Sequence, residues 1–446
     1  MSLEAPAPPF MVAPFRLDSL REPAPAVPPA PEHGKHSTTS HRRHRRRRGR
    51  ALLLAFLLLL LAAGVYVGIR LSTPEPAPAV TAAAAALQPV HVPAQPVTLP
   101  WPTTGQAAVA VPSIGVDLAS GPEQAAPVAS LTKLMTAYVV LHDHPIALGQ
   151  PGPTITVSQA DVDDYNNAAV DDDSNAAVSL NEQISEADVL GGLLVHSADN
   201  YADLVATWDA GSIPAFVAKM NAAAVRLGMD HSHFADASGV SPGSESTASD
   251  MLKVAGLDMA NPTFASFVKM SSVTLPVAGT ISTYTPLLGI QGVIGVKSGF
   301  TSAAGGGDVL AVERTVHGQK VLLLSAVTGQ TGPVVLAQAG LHALALVDAM
   351  SPFIGSTRVL RGNQVVAHVA EAGTSVGART AAPASMLTWP GVTATSTFVP
   401  ARHVAKQAPR GTQVGTVVVT LGTQRAEVPV QLERDIPAET LLQRLS

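Results

Sequence analysis

Cysteine is absent from all 446 residues. That excludes a disulfide scaffold, a thiol nucleophile and a cysteine zinc site. It does not fix the redox compartment, because cysteine-free chains suit either side of a membrane. A second absence is local. Ala51 to Ile69, ALLLAFLLLLLAAGVYVGI, holds no charged residue. Nineteen residues at helical rise reach about 28 Å, close to the hydrocarbon thickness of a bilayer. Immediately before this run, His41 to Arg50 packs seven arginines into ten residues. Positive charge before an apolar span holds that end in the cytoplasm. A nucleic-acid tail and a plain solvated tail are the rival readings of the arginines. The net charge of −5 argues against a general nucleic-acid binder. A cleaved signal peptide is the rival reading of the apolar run. The long segment before it and its length favour an uncleaved anchor. The expectation is a single-pass membrane protein, N-terminus cytoplasmic and the rest beyond the membrane.

The chain is too long for one ordinary domain, and no internal repeat divides it. Residues 1–50 read as a disordered, proline- and arginine-rich tail, and 51–71 as the anchor. Residues 72–102 are rich in proline and alanine and read as an extended stalk. Residues 103–350 mix helical and strand-like patterns. Leu131, Leu134, Met135, Tyr138 and Val139 recur at helical spacing over Ser130 to His142. Ala187–Asp209 reads as helical, with Ser197 inside it or between two segments, and Ile213–Leu227 as helical again. Strands are expected on both sides of Pro112-Ser113, then over 272–277, 292–297, 308–313 and 319–327, with Gly318 as a hairpin turn. A helix is expected over 333–350, with its proline in the first turn. From Ser351 onward valine- and threonine-rich runs alternate with glycine and proline, which reads as a small all-β domain over 351–446.

Three short motifs follow one another in the mixed region. They are Ser130-Leu-Thr-Lys133, Ser197-Ala-Asp199-Asn200 and Lys297-Ser298-Gly299. Acyl transfer needs a nucleophile and a group that takes its proton. Residues three apart on a helix share a face, so Lys133 can reach Ser130. A lysine serves as base only when burial or a second cation lowers its pKa, and Lys297 is that cation. Ser130 at a helix start also offers its own N–H to an oxyanion. The Ser197 hydroxyl is placed to relay a proton. Lys297 suits a substrate carboxylate, and Gly299 lets a peptide lie along the strand. Each motif alone also has a plain reading, as an N-cap, a polar helix junction or a solvated strand end.

The set resembles the serine-type D-alanyl-D-alanine carboxypeptidases, the low-molecular-mass penicillin-binding proteins, with their Ser-x-x-Lys, Ser-x-Asn and Lys-Thr-Gly. The motif spacings of 67 and 100 residues are similar to the family's. So are Ala129–Thr136, Phe234–Val240, Ser246–Met251 and Val296–Thr301. The resemblance covers roughly 106–350 and, more weakly, the all-β tail. It implies an α/β (α+β) fold, an antiparallel sheet packed between helices. It implies Ser130, Lys133 and Ser197 as catalytic residues, and Lys297, Ser298, Gly299, Thr301, Asp199 and Asn200 as substrate-binding ones. It implies stem peptides ending in D-Ala-D-Ala as substrate and β-lactams as inhibitors, with no cofactor or metal.

Two positions depart from the family pattern. The family's Asn falls at Asp199, with Asn200 one residue later. Either Asn200 serves, or Asp199 faces Lys133 and favours its charged form, which opens the reading of an impaired domain that only binds wall peptide. The family's Thr is Ser298, which keeps the hydroxyl. A β-lactamase reading lacks support, since Thr207 to Gly243 holds no glutamate. Asp171–Asp173 with Asn175 place acids as a calcium loop does, but Ala176 stands where that loop needs glycine. His142/His144 and His231/His233 have no carboxylate set beside them in sequence.

Overall fold

The computed structural model describes residues 41–73, 77–121, 123–168, 174–371, 374–438 and 440. Asp171–Asp173 lie outside them. Two compact units form, one containing the N-terminal helix and the other spanning Glu75–Gln443. The helix runs His41–Ser72, so the arginine block assigned to the tail is helical rather than a separate coil. Its segment Arg50–Ser72 is long and apolar enough to cross a membrane.

The larger unit is built on a five-stranded antiparallel sheet. The strand order is Val293–Thr301, Gly305–Val316, Gln319–Gln330, Gln106–Val111 and Val116–Ala119. The turn at His317-Gly318 has φ of 49° and 78°, the left-handed geometry of a two-residue hairpin. Side chains alternate across the sheet with period two. Val309 and Ala311 pack into one apolar cluster, Leu310 and Val312 into another. The first cluster joins the sheet to a helical lobe: Thr132–Asp143, Glu186–Val195, Asp199–Ala210, Ile213–Arg226 and Ala248–Ala260. The second lies under the Val335–Met350 helix. That helix starts after Pro333 rather than on it. A sheet between helical layers follows from two apolar faces, since each needs its own cover.

Beyond Ser351 the described residues hold strands and one short 3-10 turn. Their main sheet has seven antiparallel strands. Five come from the C-terminal region: Val365–Glu371, Thr374–Thr380, Gln424–Leu432, Gln413–Leu421 and Thr393–Pro400. The two edge strands come from the N-terminal side. Ala79–Ala82 pairs with Val365–Glu371, and Val90–His91 pairs with Thr393–Pro400. The segment read as an extended stalk is therefore partly sheet. Its proline and alanine content masked the strands, because four- and two-residue strands leave almost no periodicity. The second apolar cluster continues from the five-stranded sheet into this region, joining Val109, Val312 and Leu346 to Val366 and Val417.

Candidate active site

The Val293–Thr301 strand is an edge of its sheet and runs past the turn that begins the Thr132–Asp143 helix. Ala129–Leu131 forms one 3-10 turn there. Ala129 is left-handed, with φ of 50°. Gly239 makes room for it, since a Cβ on Gly239 would sit 1.9 Å from the Ala129 carbonyl oxygen. Leu131, Leu134 and Met135 are fully buried and fix the helix. Its other face presents Lys133, whose Nζ donates to Ser130 Oγ at 2.9 Å.

Lys133 is fully buried and has two more acceptors. Its Nζ donates to Asp199 Oδ1 at 2.5 Å and to the Ser238 carbonyl oxygen at 2.8 Å. Nζ thus lies within hydrogen-bond reach of three oxygens. Asp199 and Asn200 open the Asp199–Ala210 helix and point apart. Asn200 accepts from the Ala176 N–H at 3.1 Å and donates to its carbonyl at 2.8 Å. Asp199, not Asn200, faces Lys133.

Ser197 sits between two helices with φ of 64°. That turn aims its hydroxyl at Lys297, whose Nζ donates to Ser197 Oγ at 2.8 Å and to the Ser298 carbonyl at 2.7 Å. Burial, and behind it the positive charge of Lys133, lowers the Lys297 pKa to about 7. Ser298 Oγ donates to the Tyr284 carbonyl at 2.9 Å. Gly299 abuts the Ser130 turn, where an added Cβ would lie 2.8 Å from Ser130 N. Thr301 ends the strand, and its Oγ1 accepts from the Ala304 N–H at 3.1 Å. Ser130, Lys133 and Asp199 thus form one cluster, and Ser197, Lys297 and Ser298 a second. Asn200 and Thr301 brace loops.

Several contributing groups have no motif of their own. Ser238 enters through its backbone carbonyl, which carries no side-chain signature. Asp236 holds its loop in place, accepting from Ser238 Oγ, the Gly239 and Ser241 N–H groups and Ser244 Oγ. Both lie in the Phe234–Val240 stretch, which was the available signal. Asp308 pairs with Ser298 across the ladder, on the sheet face opposite Lys297. It is fully buried, and burial pushes its pKa up to about 8. Beside Asp199 lies a cavity of about 380 Å³ whose lining includes Asp164, Asp203, Asp236 and Ser241. Burial, then the charges of Asp164 and Asp236, raises Asp203 to about 7.

Relatives carry similar sequences. A D-alanyl-D-alanine endopeptidase of Haemophilus influenzae is 37% identical over 130 residues, 29% of this chain and 41% of its own. A D-alanyl-D-alanine endopeptidase of Escherichia coli is 30% identical over 214 residues, 46% of this chain and 64% of its own. The chain therefore spans less than two thirds of the length of these curated relatives. The crystal structure of penicillin binding protein 5 from Haemophilus influenzae superposes with a TM-score of 0.55 at 22% identity, over 76% of this chain and 99% of that one. That likeness establishes a shared fold. A profile of peptidase S11, D-alanyl-D-alanine carboxypeptidase, matches residues 115–331. Over that segment the chain is similar to the D-alanyl-D-alanine carboxypeptidase family.

Proposed function

We propose that this protein is a membrane-anchored serine D-alanyl-D-alanine carboxypeptidase. It removes the terminal D-Ala from peptidoglycan stem peptides and is acylated by β-lactams. The observation that carries the proposal is the pair of buried lysine–serine contacts, Lys133 to Ser130 at 2.9 Å and Lys297 to Ser197 at 2.8 Å. Ser130 Oγ attacks the penultimate D-Ala carbonyl, and its proton passes to Lys133 Nζ, 2.9 Å away. That proton reaches the departing D-Ala amine by way of the Ser197 hydroxyl, which Lys297 holds at 2.8 Å, and water hydrolyses the ester on Ser130. The Ser130 N–H faces the oxyanion. Lys297 and Ser298 receive the substrate carboxylate, and the open edge of the 293–301 strand takes the peptide backbone. The catalytic role belongs to residues 103–350, and the all-β residues 351–446 support it.

The Lys133–Asp199 ion pair favours a second reading, a domain that binds wall peptide and turns over poorly. One experiment separates the two. The full chain is incubated with penicillin, and separately with a D-Ala-D-Ala peptide, and each product is weighed by mass spectrometry. Expected are a single penicillin adduct on the Ser130 peptide, release of D-Ala, and neither in Ser130→Ala. Adduct without D-Ala release supports the impaired reading. An adduct that survives Ser130→Ala refutes the assignment of the nucleophile.

Seven arginines precede the apolar segment, so we place the N-terminus in the cytoplasm and the larger unit outside. Protease added to intact cells is expected to digest the chain beyond Ser72 and spare the arginine-rich end. Protection of the larger unit would reverse the orientation.

A further inference from the structure

Charge is distributed unevenly along the chain. Residues 74–350 hold eight Lys and Arg against 24 Asp and Glu, whereas 351–446 hold nine against five. Some of that positive charge gathers at one end of the seven-stranded sheet. There the strands Thr374–Thr380 and Gln424–Leu432 finish beside the turns at Asn363 and Arg410-Gly411. Between them is a cavity of about 690 Å³. Three arginines, Arg379, Arg410 and Arg434, line it together with one acid, Glu433.

The guanidinium groups are held to different degrees. Arg379 donates from Nε to Glu433 Oε2 at 2.7 Å and from Nη1 to the Asn363 carbonyl at 3.0 Å. Arg434 donates from Nη2 to the Ser375 carbonyl at 2.8 Å. Arg410 is placed through its backbone, whose N–H donates to Asp435 Oδ1 at 2.6 Å. Its side chain is exposed and enters no ion pair among the described residues. Glu433 is engaged by Arg379, so Arg410 and Arg434 remain without a carboxylate on the lining.

We propose that this cavity binds a phosphate-bearing anion. With Arg379 matched by Glu433, Arg410 and Arg434 leave two like charges around one space, and an anion between them removes the cost of their repulsion. A guanidinium presents a rigid fork that matches phosphate oxygens two at a time, and several forks around one space suit more than one negative charge. The volume lies in the range of small-ligand sites, and its concavity suits a discrete group rather than a flat lipid surface. The acid-rich 74–350 region repels such a ligand, which leaves this end of the all-β region as its place. The matching ligand is a soluble phosphodiester or phosphomonoester unit, such as a segment of an anionic wall polymer.

The test uses the full chain in non-ionic detergent, with binding measured by calorimetry. The probes are inorganic phosphate, a short soluble glycerol-phosphate oligomer and vesicles containing anionic phospholipid. Parent and Arg410→Gln/Arg434→Gln chains are compared, since both keep the N-terminal arginines and differ only at the cavity. The oligomer is expected to bind the double variant at least tenfold more weakly, with circular dichroism unchanged. If the double variant misfolds, Arg410→Gln alone decides, because that side chain stands on an exposed turn. Equal oligomer binding by parent and folded variant overturns the proposal. So does dependence on the two arginines that appears with vesicles and not with the oligomer.

Discussion

Asp199 is the residue on which the chemistry turns. Its carboxylate lies 2.5 Å from Lys133 Nζ, the atom that takes the Ser130 proton in the proposed mechanism. Asp199→Asn keeps the shape and removes the charge that pairs with Nζ. Penicillin acylation at pH 7 is expected to rise about tenfold. A tenfold rise corresponds to about 1.4 kcal/mol off the barrier. A slower rate would mean that Asp199 serves catalysis by holding Lys133 in place. The sequence announced this departure but not its geometry. Asp199 and Asn200 are neighbours at a helix start, where a turn of about 100° per residue sends one inward and the other to Ala176. The left-handed Ser197 before them and the contacts of Asn200 with Ala176 fix which is which.

Among elements, the contact between the 293–301 strand and the 129–131 turn carries the most consequence. A Cβ on Gly299 meets backbone, not a flexible side chain, at 2.8 Å. Gly299→Ala therefore pushes the strand and the Ser130 turn apart by a few tenths of an ångström or more. Misplacement on the scale of 1 Å can cost about a hundredfold in rate. Acylation is expected to fall at least tenfold while the melting temperature changes by only a few degrees. A rate within twofold of the parent would show that the seam has slack. The 293–301 strand was legible through its short valine run and its glycines. The Ala248–Ala260 helix was passed over, although Thr247 caps it by accepting from the Asp250 N–H at 3.2 Å. Its apolar residues fall on more than one side, Leu257 being exposed, so the helical stripe is faint. Lys133 was legible as the partner of Ser130 because three residues on a helix is a local relation. Its contact with the Ser238 carbonyl spans 105 positions and depends on a loop that no pattern encodes.

At the scale of the molecule, the sequence suggests a folded part beginning near 103, and the structure argues for an earlier start. Leu99 is buried, and Val80, Leu87, Val90 and Val97 pack on the second apolar cluster. A chain beginning at 103 loses these contacts and bares the edge of the 365–371 strand. Burying one leucine is worth roughly 2 kcal/mol, and a bare strand edge invites pairing between molecules. The chain beginning at 103 is expected to melt several degrees below one beginning at 77 and to aggregate at lower protein concentration. Equal melting temperatures and equal solubility would show that the two edge strands add nothing.

The same pairing sets a timetable. Ala79–Ala82 and Val90–His91 are among the first parts of the larger unit to be synthesised, yet their partners are residues 367–370 and 393–394. Nearly 300 residues must be made before either edge strand finds its neighbour. At about 5–20 residues per second this is a wait of roughly 15–60 s. Through that interval the early strands stay unpaired while the residues between them and their partners emerge. The seven-stranded sheet is thus the last part of the protein to close, and a nascent chain halted before residue 365 has its active-site motifs but not the sheet that its first strands join.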